Sequence, residues 1–164
     1  MPCDAVDHIV QAWAKRDPAL DVSPLHVVGR LLLCADHLDR ALVGALQPFG
    51  LSFGDFDVIN TLRRRADEHG AKPSELAQSS LITTGAMTSR LDRLQHTGLV
   101  TRAPDPNDGR GVLISLTARG EALAEQSLHA VLEVDRTFLE PLNHTQRDSV
   151  AAALKLLLLH LTPE

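Results

Sequence analysis

The stretch from Lys72 to Leu116, KPSELAQSSLITTGAMTSRLDRLQHTGLVTRAPDPNDGRGVLISL, constrains the fold more than any other part of the chain. Pro73 suits the first turn of a helix, and Ser74 and Glu75 add favourable early-turn chemistry, so a short helix is expected to about Ser79. Thr83 is placed to cap a second helix by accepting from the free N–H groups of its opening turn. That helix should run to Thr97 and stop at Gly98, a residue suited to left-handed backbone. Met87, Leu91 and Leu94 recur at helical spacing and mark a core face. Thr84, Thr88, Ser89 and Arg93 fall elsewhere, on a polar, partly cationic face whose small residues permit close approach. A helix that enters a DNA major groove has this character.

Beyond Gly98 the apolar period drops to two. Leu99 to Ala103 and Gly111 to Leu116 read as strands, with Val112, Ile114 and Leu116 alternating against Leu113 and Ser115. Between them PDPNDGR is dense in turn formers, and Asp108-Gly109 is expected to make the reversal, which leaves Arg110 at or near the tip. A cation on so thin a projection can reach a minor groove, where the negative potential is strong. Helix, helix and wing in this order make a winged helix-turn-helix. The competing reading is an α+β fragment with a solvated charged loop; the wing in register favours duplex DNA.

The remaining residues read as helices. Ser23 and Pro24 open one that continues to about Leu46, with Val27, Leu31, Leu32, Ala35, Leu38, Leu42 and Ala45 as a broad apolar stripe. Gly50 ends that segment. Ser52 can cap the next helix, which buries Phe53, Phe56, Ile59 and Leu62. Thr117 caps a long helix to about Phe138, with Leu123, Leu128, Val131 and Leu132 inward. Asn143 and Gln146 have capping-box spacing before a final helix to Leu161 that is apolar nearly all round. Such a helix needs burial on more than one side. The chain is therefore expected to be one domain, mainly α with a small β-hairpin wing. Residues 1–48 and 118–164 supply N- and C-terminal dimerisation helices, and 52–117 the winged DNA-binding region. A symmetric homodimer would set two recognition helices about 34 Å apart, one DNA turn.

The net charge of −5 argues at first against a DNA partner, but it is unevenly spread. Residues 72–120 sum to +2, whereas residues 1–71 and 121–164 sum to −3 and −4. The expected DNA-reading lobe is the one positive third, which suits a local phosphate-facing surface. Aromatic residues are only 3% with no tyrosine, so stacking on single-stranded nucleic acid is not expected. The apolar run at Leu154–Leu161 carries Lys155 and His160 and is too short to span a bilayer, so a cytoplasmic protein is expected. The eight histidines lack zinc spacing, and no phosphate loop, nucleophile elbow or other cofactor motif occurs, so no cofactor and no enzymatic activity are expected.

These motifs resemble those of the MarR family of transcriptional regulators, and the resemblance runs from Ser23 to Leu161. The family's wing pattern appears as Asp108-Gly109-Arg110 followed by GVLISLT, and its recognition-helix ending as Ser89-Arg90-Leu91-Asp92-Arg93-Leu94 before Gly98-Leu99-Val100. Where the family often has two adjacent wing arginines, Gly109 takes the first place. The resemblance implies a homodimeric repressor of a palindromic operator, released by a small molecule. The candidate DNA contacts are Lys72, Thr83, Thr84, Thr88, Ser89, Arg90, Arg93, Arg102 and Arg110.

The N-terminal segment AVDHIVQAWAKRDP, capped by Asp4 and ending before Pro18, adds a short helix with Ile9 and Trp13 on one face. Trp13 is either an anchor for that helix or part of a ligand site. The second reading follows from a likeness to the urate-responsive members of the family, which implies ligand-binding residues at Trp13, Asp57, Arg64 and Arg90. Asp55 and Arg63 are near neighbours to which the middle pair could shift. Arg64 offers a planar fork of donors to an anionic purine or aromatic carboxylate, and Trp13 an indole N–H or ring face. Alternatively, Arg63, Arg64 and Arg65 form a solvated patch or touch phosphate. Cys34 reads as a small core residue, or, by likeness to the family's peroxide-sensing branch, as a redox sensor. An enzyme using a dimer crevice, and a winged helix that binds protein, are the readings from other classes.

Overall fold

The computed structural model describes residues 2–67, 69–80 and 87–161, with Gly109 and Arg110 described by backbone alone. Contacts divide the chain into two units, Met1–Leu42 and Val43–Glu164.

In the first unit, α1 (Ala5–Arg16) is set by Asp4, whose side chain accepts from the Asp7 N–H while the Asp7 carboxylate accepts from the Asp4 N–H. Arg30, on α2 (Leu25–Leu46), then reaches both carboxylates, at 2.8 Å from Asp4 and 2.7 Å from Asp7. Val6 is buried at 2% exposure, close over Gly29. One arginine and one valine therefore dock α1 on the start of α2. Most of the apolar stripe on α2 faces outward: Val27, Leu31 and Leu32 are exposed, and Leu42 is buried.

The second unit holds the end of α2, a short 3-10 turn (Gln47–Phe49), and Gly50 in left-handed backbone. There follow α3 (Phe53–Arg65), α4 (Pro73–Ser79), α5 (Met87–His96), β1 (Val100–Asp105), β2 (Asp108–Leu116), α6 (Ala118–Phe138) and α7 (His144–Leu161). Ser52 caps α3, Thr117 caps α6, and before α7 the Asn143 and Gln146 side-chain oxygens each accept from the other residue's backbone N–H, as their spacing predicts. The Thr83 cap lies outside the described residues. The core gathers Val58, Ile59, Leu76, Leu91, Leu94 and Ile114, each at most 1% exposed. On α6, Val131 is buried as expected, but Leu132 is 40% exposed, because the face packed against α3 follows Ala124, Ser127 and Val131 instead.

The wing departs from expectation at its tip. β1 and β2 pair antiparallel from Val100↔Leu116 to Asp105↔Asp108, so the reversal is Pro106-Asn107, and Asp108-Gly109 belongs to β2. The reason is local. The Asp105 carboxylate accepts from the Asn107 N–H at 2.9 Å, closing the turn two residues earlier than a Asp-Gly reversal would. A register shift at Pro104/Asp105 absorbs the difference.

Candidate nucleic-acid interface and effector residues

α5 enters the core by Met87, Leu91 and Leu94, at 4%, 1% and 1% exposure, and it ends at Gly98 with φ +71°. Thr88 and Ser89 are exposed, so small hydroxyl side chains stand outward while the apolar face is locked. Thr83 and Thr84 lie outside the described residues. Arg110 occupies the third position of β2, beside the wing tip.

The other candidate cations are engaged with the protein itself. Arg93 folds back to α3, its Nε donating to Asp55 at 3.2 Å and its Nη2 to the second carboxylate oxygen. Asp55 also accepts from the Ser52 N–H and hydroxyl, at 3.2 and 2.6 Å. Burial at 4% exposure alone would raise the Asp55 carboxyl; the Arg93 and Ser52 hydrogen bonds outweigh it and hold the group below the usual carboxylate value. Arg102 pairs with Asp92 at 2.6 Å, and Lys72 with Asp105 at 2.9 Å. Arg119 donates to the Thr97 carbonyl. The local +2 seen in sequence is thus largely spent in internal pairs, which a phosphate would have to displace.

Arg90 points inward. Its guanidinium fills the space beside Gly54 on α3 that a Cβ there would take. Its Nη1 is buried without a hydrogen-bond partner. A buried guanidinium N–H lacking an acceptor costs free energy and marks a place where an acceptor could bind.

On α3, Asp57 is buried at 4% exposure. Arg64 donates to the Ser79 carbonyl at the end of α4, at 2.7 Å, and to Thr61 at 3.4 Å. It also lines an open cleft of about 400 Å³ with Asn60, Arg63, Glu121 and Leu128. Asp57 does not line that cleft. Two helical turns do put Asp57 and Arg64 on one face, but the short carboxylate sits in the packing while the long arginine leaves sideways. Arg63 pairs with Glu121 at 2.8 Å, and Arg65 with Asp67 and Glu75 at 2.6 and 2.9 Å. The run of three arginines is thus engaged within the protein, tying α3 to α4 and α6, with Arg64 itself exposed.

Trp13, on α1 of the first unit, is 44% exposed. Cys34 is exposed on α2, so it is not the small core residue its apolar helix suggested. Among the described residues no cluster of His, Cys, Asp and Glu could hold a metal ion, and no helix is long and apolar enough to cross a membrane. Sequence reasoning did not find the Asp55–Arg93 pair, the Gly54 seat or the Lys72–Asp105 pair. Of these, only the Ser52-to-Asp55 capping spacing left a signal.

An α3–α4–α5 core closed by an antiparallel hairpin defines a winged helix-turn-helix protein. A profile described as MarR family matches residues 49–111. The HTH-type transcriptional regulator PecS of Dickeya dadantii (strain 3937) is 36% identical over 91% of this chain and 90% of its own. The multiple antibiotic resistance protein MarR of Escherichia coli (strain K12) is 39% identical over 60% of this chain and 67% of its own. The structure of a mutant MarR from E. coli complexed with operator DNA superposes with TM-score 0.70 at 30% identity, covering 89% of this chain and 97% of that one. The chain belongs to the MarR family. Its relatives are transcriptional regulators, not enzymes.

Proposed function

We propose that the protein is a cytoplasmic, homodimeric transcriptional repressor that grips a roughly palindromic operator and releases it when a small anionic aromatic molecule, such as urate, binds. The observation that carries the DNA reading is the division of α5. Its apolar face is locked in the core, its hydroxyl-bearing face is outward, and the adjoining hairpin carries Arg110 beside its tip. The relation to PecS, and to a MarR crystallised on operator DNA, supports it. Thr88 and Ser89 would meet base edges or phosphates, with Thr83 and Thr84 before them, and Arg110 the minor groove. Arg93 and Arg102 can exchange a carboxylate for a phosphate, whereas Arg90 faces away from that surface.

Dimerisation is supported by apolar helix faces left in solvent by the single chain. On α2, Val27 and Leu32 are more than 60% exposed, and on α7, Leu156, Leu158, Leu159 and Leu161 are at least 60% exposed. Faces of this extent mark association surfaces.

The effector reading draws on Arg64, buried Asp57 and the orphaned Nη1 of Arg90, with Trp13 contributed by the sequence pattern. An anion held by Arg64 stands two helical turns from buried Asp57 on α3, and relief of the repulsion between the two charges shifts that helix. Because Arg90 of α5 rests on Gly54 of α3, the shift reaches the helix that reads DNA. The effector must prefer the arrangement that cannot bind DNA, since equal affinity for both would change nothing.

Replacing Arg110 by Ala is expected to cost about 1–3 kcal/mol of duplex affinity, measured across a salt series on DNA from upstream of the coding region. Unchanged affinity and salt dependence would refute the wing contact. Urate is expected to release the duplex, and Arg64→Ala to blunt the release. An equal response in both proteins removes Arg64 from the effector site.

A further inference from the structure

Besides the Arg102–Asp92 pair that joins β1 to α5, the wing is tied to the helix-turn-helix at two points next to the start of α4. At its base, Ala71 and Ile114 exchange backbone hydrogen bonds, 2.9 Å in each direction, so the chain entering α4 pairs with the middle of β2. At its tip, the Lys72 ammonium lies 2.9 Å from Asp105 and 3.8 Å from Asp108. The Asp105 side chain is 4% exposed, and its other oxygen closes the Pro106-Asn107 turn by accepting from the Asn107 N–H. Consecutive residues thus hold the hairpin at its two ends.

We propose that Lys72 is a positioning residue for DNA binding: by pairing with buried Asp105 it fixes the wing against α4 and sets where Arg110 stands. A two-stranded hairpin by itself is marginally stable. From Ile114 to Arg110 it extends four residues, a lever of about 13 Å. A swing of about 10° would carry Arg110 about 2 Å, beyond the few tenths of an ångström that hydrogen bonds tolerate. The backbone pairing at Ala71 and the Arg102–Asp92 pair both hold the hairpin at the level of Ile114, the cross-strand partner of Arg102, and leave a rotation about that level open; the ion pair at the tip closes it. Asn107 and Lys72 together keep the Asp105 carboxyl ionised by lowering its pKa, so the pair persists throughout the neutral range.

This rests on the DNA-binding reading for its affinity readout and is independent of it for a second one. On a duplex selected from a random pool by the wild-type protein, Lys72→Ala and Asp105→Asn are each expected to weaken binding roughly fivefold or more. The double variant should lose no more than either single one, and Lys72→Arg, which keeps the charge, should recover most of the loss. Lys72→Gln serves where the alanine variant melts early. In the DNA-free protein, amide exchange at Asn107 should quicken severalfold in Lys72→Ala and Asp105→Asn. If Asp105→Asn binds as tightly as wild type while Lys72→Ala is weakened, the lysine acts on phosphate and the proposal is overturned. If wild type selects no duplex, the DNA reading fails and Asn107 exchange alone decides; unchanged exchange in Lys72→Ala then overturns the latch.

Discussion

At the scale of single residues, Asp55 carries the most. It is the third residue of α3, where it completes a capping box with Ser52, and it is the acceptor for Arg93 of α5. The capping role is readable from Ser52-Phe53-Gly54-Asp55, because it depends on neighbours in the chain. The pairing with Arg93 spans 38 residues and depends on how two helices cross, so no local pattern announces it. Because the folded-state pKa of Asp55 is depressed, its contribution to stability is present above the ordinary carboxylate value of about 3.9. It is lost as pH falls through the lower folded value. Asp55→Asn is therefore expected to destabilise by about 1–2 kcal/mol at pH 7. The deficit should shrink towards zero in strong acid, and urea unfolding at neutral and low pH measures both. An equal deficit at both would mean that the carboxylate charge contributes nothing.

At the scale of elements, the contact between α3 and α5 is the one most exposed to a small change. Gly54 sits in the first turn of α3, where glycine is disfavoured against alanine by less than the roughly 0.5–1 kcal/mol of a helix middle. It stands where the Arg90 guanidinium occupies the space a side chain would take. Gly54→Ala recovers helix propensity but pushes aside the flexible end of Arg90, so stability should stay within about 1 kcal/mol. Operator affinity should nevertheless fall, because the support beneath α5 moves. Gel shifts beside thermal melts separate the two, and unaltered affinity would mean that the seat of Arg90 does not orient α5. The wing shows the complementary limit of pattern reading. Strand alternation located both strands, but Asp-Gly was the stronger local turn signal, and an Asp105 carboxylate bonding two residues ahead overrode it.

At the scale of the whole molecule, the apolar α7 presents leucines on several sides without burying any of them in its own chain. A Leu156→Glu substitution, at a position 70% exposed in the single chain, should cost that chain little stability. In a homodimer it should shift the protein towards monomer and abolish two-site operator binding. Sedimentation across a concentration series tests this; a wild-type protein that remains monomeric throughout would defeat the dimer reading. Acidic charge outside residues 72–120, −3 over residues 1–71 and −4 over residues 121–164, discourages unproductive contacts with DNA.

The helices, the caps at Asp4, Ser52, Thr117 and Asn143, the buried face of α5 and the existence of a wing were determined by the sequence itself, since each follows from neighbours within a few residues and from periods of 3.6 or two. What the cations do was decided by tertiary structure. Lys72, Arg93 and Arg102 read as a positive surface in one dimension, yet each finds a carboxylate in three, and Arg90 turns inward onto Gly54. Long charged side chains choose partners by distance in space, and a linear sequence lists charges without saying which of them meet.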